Sequence, residues 1–281
     1  MKKTLKNIIP VLKQVGLSLG VCLLCLTLLS GVSTLFAPKE DVVEKENELA
    51  GKYISFMGDS ITTYEGWNNN TYYNSTIGSN AVFYNSTKLA SANDTYWKKT
   101  VDELDLKLCV NNSYSGSTTT TLGSAPGCMT RTANLHNDNL GIFPDIIVLY
   151  MGTNDLRRGY ELGSFNSVSD IYDSASGEYV GNLTTFAHAY ATMVHKVKAN
   201  YPDADIYVCT ISHTDVDGSE WAKVIKKIAD VFNVNLVDFY GATNITDSTL
   251  STYTLDSRHP NKAGMEEMYK CLKKAIEKNY N

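Results

Sequence analysis

From residue 52 onward the chain alternates short apolar runs with longer amphipathic ones. Runs at 53–57, 106–110, 145–151, 205–211 and 235–239 have the length and the β-branched or aromatic content of strands. The third, Asp145-Ile146-Ile147-Val148-Leu149-Tyr150-Met151, is apolar almost throughout, which predicts a central strand buried on both faces. Between the strands the period changes to that of a helix. Residues 94–104 place Trp97, Val101 and Leu104 on one face, and 220–232 do the same with Val224, Ile225, Ile228 and Phe232. A long helix is predicted over 183–200, before Pro202, and a shorter one over 130–137. The last helix starts near Asn261 and carries Met265, Met268, Tyr269, Leu272 and Ile276. Strands alternating with helices predict a three-layer α/β/α sandwich around a mainly five-stranded parallel sheet. No internal repeat is present.

Two insertions interrupt this rhythm. Residues 62–92 are rich in Asn and Tyr and contain Trp67, Tyr72, Tyr73, Phe83 and Tyr84. An irregular connection of this length suits a lid or a binding loop. Trp67, Tyr72 and Tyr73 are candidate substrate-binding residues; the alternative is that they pack the insertion onto the domain. The second insertion, 156–180, contains a hairpin turn at Asp173-Ser174-Ala175-Ser176-Gly177-Glu178.

The N-terminal segment has a different pattern. Lys2, Lys3, Lys6 and Lys13 are followed by no charge from Gln14 to Pro38. A basic start and an apolar run of this kind resemble an export signal, with Gly31 and Ser33 spaced for cleavage, and the stretch is also long enough to remain as a membrane anchor. Residues 1–37 are therefore read as a signal peptide or anchor, 38–51 as a charged linker, and 52–281 as the domain, placed outside the membrane. Any membrane contact is expected through the N-terminal segment alone. Cys22 and Cys25 lie inside the apolar run and read as hydrophobic filler. Cys109, Cys128, Cys209 and Cys271 belong to the domain, where export would permit a Cys109–Cys128 disulfide; Cys209 and Cys271 read as buried thiols.

Composition narrows the partners. Of 281 residues 43% are hydrophobic and 20% charged, ordinary for a globular protein. The four N-terminal lysines stand with no acid, so residues 39–281 hold 21 basic and 30 acidic groups, a net of −9. That balance disfavours nucleic acid and anionic membrane surfaces as partners.

Polar clusters follow the strands. Gly58-Asp59-Ser60-Ile61 ends the first, Ser115-Gly116-Ser117 follows the second, Gly152-Thr153-Asn154-Asp155 ends the third, and Asp256-Ser257-Arg258-His259-Pro260 follows the fifth. Read singly, these are a turn, a turn glycine, a helix cap and a helix entrance. In a parallel sheet, however, all four share one edge. Acyl transfer needs a hydroxyl, a base, a group that orients the base, and donors for an oxyanion. Every type is present.

The ordered blocks, over roughly 52–280, resemble the GDSL-type esterases and lipases, also called SGNH hydrolases. The resemblance implies the flavodoxin-like fold of that family, a catalytic triad of Ser60, His259 and Asp256, and an oxyanion hole from the Ser60 and Gly116 N–H groups and the Asn154 amide. Asp59 is expected to orient the nucleophile turn, and Asp155 to cap a helix.

Of the other histidines, His136 reads as a surface residue. His188 and His195, seven apart on one helix, suit packing or exposure. His213, beside Asp215 after the fourth strand, is a candidate substrate contact. No His-x-His or His-Glu-x-x-His group occurs, so neither a metal nor another cofactor is expected and a metal-dependent phosphoesterase is disfavoured. The expected function is extracytoplasmic hydrolysis of short acyl esters, acetyl in particular, on a small-molecule or glycan substrate. The alternatives are a lysophospholipase-type or lipase-type acylhydrolase and a non-catalytic carbohydrate-binding protein.

Overall fold

A computed structural model of the protein describes residues 47–67, 81–125 and 127–280. The expected export signal or anchor, most of the linker, Tyr72 and Tyr73 lie outside the described residues. Leu49, within the stretch read as linker, is 4% exposed and belongs to the core, so the domain is already structured there. Among the described residues no helix is long and apolar enough to cross a membrane.

Five strands form one parallel sheet: β1 Tyr53–Gly58, β2 Lys107–Asn111, β3 Ile146–Tyr150, β6 Asp205–Cys209 and β7 Asn235–Val237. Their order is β2-β1-β3-β6-β7. Between them, β4 Tyr172–Asp173 and β5 Glu178–Tyr179 make a separate antiparallel hairpin at the turn expected from sequence. The strand order reverses direction at β1 and β3. In doubly wound sheets the crevice beyond the carboxyl ends at that switch point is where ligands bind.

Side-chain alternation builds a core on each face. Ile54, Phe56, Ile146, Val148, Tyr150, Tyr207 and Cys209 face one way, against helices α1 Tyr96–Glu103 and α6 Lys262–Tyr280. Met57, Ile147, Leu149, Ile206 and Val208 face the other, against α3 Phe186–Asn200 and α4 Ser219–Phe232. Both sets follow the two-residue period of a strand. Two shorter helices, α2 Thr153–Arg157 and α5 Leu250–Tyr253, stand at the carboxyl edge. Local chemistry fixes the helix ends. Thr95 caps α1 through the Lys98 N–H, and Lys198 of α3 donates to the Phe232 carbonyl at the end of α4.

The helix expected over 130–137 is absent. A single 3₁₀ turn, Cys128–Thr130, is followed by irregular chain. Long-range side chains take the backbone groups a helix would use. The Leu135 N–H donates to the Tyr201 hydroxyl at 2.7 Å, and its carbonyl accepts from Ser55 Oγ at 2.7 Å. Cys109 and Cys128 are both buried free thiols, facing the carbonyls of Ile142 and Thr119, so the disulfide considered from sequence is not formed. Cys209 and Cys271 are also free; Cys209 is buried as expected, whereas Cys271 is only half-buried.

Gly152, between β3 and α2, has φ +116°, a backbone conformation that L side chains rarely adopt. A Cβ there would also lie 2.8 Å from Phe186 Cε2. Gly152→Ala is expected to lose about 2–4 kcal/mol of stability from strain and overpacking together. Urea unfolding measures it; an unchanged midpoint would contradict this packing.

Candidate active site

The first 3₁₀ turn, Ser60–Thr62, starts directly beyond β1 and contains the candidate nucleophile. Asp59 caps it by accepting the Ile61 N–H at 2.9 Å, as expected from sequence. Thr63 Oγ1 donates to the Ser60 carbonyl and itself accepts the Phe83 N–H. The far end of the first insertion is thereby tied to the nucleophile turn.

Ser60 Oγ lies 2.9 Å from His259 Nε2, across 199 residues of sequence. His259 Nδ1 lies 2.8 Å from Asp256 Oδ2, and the His259 N–H donates to Asp256 Oδ1 at 2.8 Å. Asp256 therefore holds both the ring and the backbone of its partner. The 256–259 turn is tight: Leu255 N–H donates to the His259 carbonyl, and Ser257 is left-handed at φ +62°. Tyr84 donates to the Pro260 carbonyl, and the Asp215 N–H to that of Ser257. His259 as a whole is 5% exposed, and its imidazole stacks on Phe83, with centroids 3.5 Å apart and planes inclined by 11°. Burial holds His259 below the usual histidine pKa, and hydrogen bonding to Asp256 only partly restores it.

The loop after β2 reaches the same place. Tyr114 N–H donates to the Gly58 carbonyl, and Gly58 pairs in register with Tyr150 of β3. Gly116 has φ +78°, where glycine is the natural residue. An added Cβ would meet protein atoms no closer than 3.8 Å, so backbone conformation is what demands glycine within the protein. Asn154 Nδ2 donates to the Ser117 carbonyl at 2.9 Å. Asp155 accepts the N–H groups of Thr119 and Thr120, each at 2.8 Å, and so ties this loop to α2 in addition to standing in its first turn.

The structure thus gathers Ser60, Asp256 and His259, and it joins Asn154 of α2 to the Gly116 loop through the Ser117 carbonyl. His213 Nδ1 lies 2.7 Å from Asp247, and its ring stacks on Tyr240. Trp67 packs against Trp97 with Lys98 over its ring. His136 stacks on Phe143, and His188 and His195 bond Asn182 and Tyr179 around the hairpin. Among the described residues no cluster of His, Cys, Asp or Glu could hold a metal ion.

Phe83, Tyr84 and Arg131 were not singled out by sequence reasoning. For Arg131 a signal existed. The chain has four arginines, and all of them, Arg131, Arg157, Arg158 and Arg258, lie at this edge.

Burial pushes the Asp59 carboxyl up to about 6, with the Ile61 N–H, Thr153 and Arg131 opposing and Asp155 reinforcing the rise. The folded state then prefers the neutral acid. Its contribution is fully present below the unfolded aspartate value near 4 and is lost as pH rises through about 6. Asp59→Asn should accordingly gain about 2–3 kcal/mol relative to the wild type at pH 8 over pH 4, by urea unfolding at the two pH values. An equal difference at both would contradict it.

A profile of the GDSL-like Lipase/Acylhydrolase family matches residues 52–276. No curated protein sequence matches the chain. Among solved structures, a protein assigned as a GDSL-like lipase from Bacteroides ovatus is 26% identical, with a TM-score of 0.62 over 82% of this chain and 99% of that one. A similarly assigned Bacteroides uniformis protein is 23% identical, with a TM-score of 0.61 over 81% and 96%. A family two carbohydrate esterase from Clostridium thermocellum, solved with cellohexaose, shares the fold at 21% identity and a TM-score of 0.53 over 81% and 64%. The chain belongs to the GDSL-like lipase/acylhydrolase family.

Proposed function

We propose that this protein is an extracytoplasmic serine esterase that removes short acyl groups, acetyl foremost, from carbohydrate. The observation that carries the reading is the hydrogen-bonded chain from Ser60 through His259 to Asp256. Ser60 Oγ attacks the ester carbonyl while His259 Nε2 takes its proton. Asp256 holds the Nδ1–H tautomer and stabilises the imidazolium. Collapse of the tetrahedral intermediate expels the alcohol, which leaves with the proton from Nε2. Water then repeats the sequence on the acyl-enzyme and frees the acid.

The oxyanion is assigned to the N–H groups of Ser60 and Gly116 and to Asn154. The Asn154 amide spends one N–H on the Ser117 carbonyl and carries a second for the substrate. Each such donor is worth roughly 2.7–4 kcal/mol in the transition state.

Three features support the choice of substrate and place. The carbohydrate esterase of the same fold makes a glycan ester a reasonable alcohol. The long insertion is polar and aromatic and has no extended apolar run of the sort a triacylglycerol lid needs. The basic then uncharged N-terminal sequence supports export. A lysophospholipase-type acylhydrolase is the second reading, favoured by the family alone.

Hydrolysis of p-nitrophenyl acetate should fall by roughly 10⁴-fold or more in Ser60→Ala, with His259→Ala similar and the double variant no worse. Equal rates in wild type and Ser60→Ala would reject the nucleophile. A panel of acetylated glycans, longer p-nitrophenyl esters and lysophospholipids then separates the two readings by kcat/KM. Activity needs the neutral imidazole, so it is lost as pH falls through the His259 pKa. Because burial lowers that pKa, the acid limb of kcat/KM should inflect below about 6.5. An inflection well above it would contradict the buried base.

A further inference from the structure

Arg131 has no exposed surface at all. A guanidinium can be held away from water only where acceptors meet its donors, and the acceptors it meets here are not scattered. Nη1 donates to the Gly58 carbonyl at 3.1 Å and to the Asn112 carbonyl at 2.5 Å. Nη2 donates to Ser117 Oγ and lies 3.6 Å from Met151 Sδ. Nε reaches back to the Gly127 carbonyl at 3.4 Å, and the Arg131 N–H closes the Cys128 turn.

Gly58 stands two residues before Ser60, Ser117 one after Gly116, and Met151 three before Asn154. One planar group therefore touches the chain within three residues of each of the three donors assigned to the oxyanion hole. Asn112 adds the end of β2, on the way to Gly116. We infer that Arg131 is a positioning residue that sets the spacing of those three donors from beneath the site.

Sheet hydrogen bonds stop at the strand ends, so beyond them the turns need another tie. Arg131 supplies one tie common to β1, β2 and β3 through a rigid fork. A lysine ammonium is a single point on a flexible stem and cannot hold separate carbonyls and a hydroxyl in one plane. Oxyanion donors act only when fixed before the charge develops, so a small loosening reduces turnover more than binding. The inference rests on the esterase reading above.

The test compares wild type, Arg131→Lys and Ser117→Ala in the full domain, after Ser60→Ala has shown that turnover depends on the serine. Arg131→Lys, measured where circular dichroism shows it folded, should lose at least about 30-fold in kcat on p-nitrophenyl acetate with KM changed less than about 3-fold. Its affinity for phenylboronic acid, which forms a tetrahedral adduct on a serine, should fall by a similar factor. Ser117→Ala removes one anchor and should lose about 3–10-fold in both quantities; it decides the matter if Arg131→Lys does not fold. A folded Arg131→Lys, or Ser117→Ala, with wild-type kcat and boronate affinity overturns the positioning role. Equal rates in wild type and Ser60→Ala instead overturn the esterase reading itself.

Discussion

The site depends on one constraint, that all five strands of the main sheet run the same way. Their carboxyl ends share an edge, and the loops that leave it meet whatever their distance in sequence. Ser60 and His259 are 199 residues apart, yet their side chains share a hydrogen bond. Closing so long a loop is entropically costly. That cost is met by the two cores that fix the sheet, so the buried Ser60–His259 bond needs only to order a few side chains. The proposed nucleophile follows β1 and the Asn154 helix follows β3, and these strands pair in register up to Gly58 and Tyr150. The switch point in strand order and the chemistry therefore coincide.

Holding the edge in place requires polar groups in unusual surroundings. Asp59, Asp155 and Arg131 are all buried, and the two carboxyls are pushed up by burial. Each organises backbone: Asp59 takes the N–H of the nucleophile turn, Asp155 takes two from the Gly116 loop, and Arg131 takes carbonyls from two strand ends. Such a network is stable only when its members are satisfied together. The same burial lowers the His259 pKa, which keeps the imidazole neutral and able to accept a proton near neutrality. Phe83, stacked on that ring, excludes water from one face of it.

Much of this was legible in the residues. Strands such as 145–151 and helices such as 220–232 follow their own local periods, and the structure places them within a few residues of expectation. That the strand-end blocks meet at one edge was legible from the parallel strand pattern, and the hydrogen bonds Ser60–His259 and His259–Asp256 lie there. Contacts that depend on tertiary partners were not legible. The 130–137 segment was expected to be a helix, but Tyr201 and Ser55 claim the Leu135 backbone groups. Phe83 looked like one more aromatic of the insertion, and nothing local marks it as the neighbour of His259. For His213 and Trp67 the sequence offered no sign of the partners they have, Asp247 and Tyr240 for the one and Trp97 for the other.

The central claim is that Ser60 carries the acyl group during turnover. Its most direct test is rapid acid quench of the enzyme during p-nitrophenyl acetate hydrolysis, followed by peptide mass mapping. The account predicts an acetyl group on the peptide containing Ser60, absent when Ser60 is replaced by Ala. Turnover that leaves Ser60 unmodified at every quench time, with an acetyl group trapped on another residue, would contradict it.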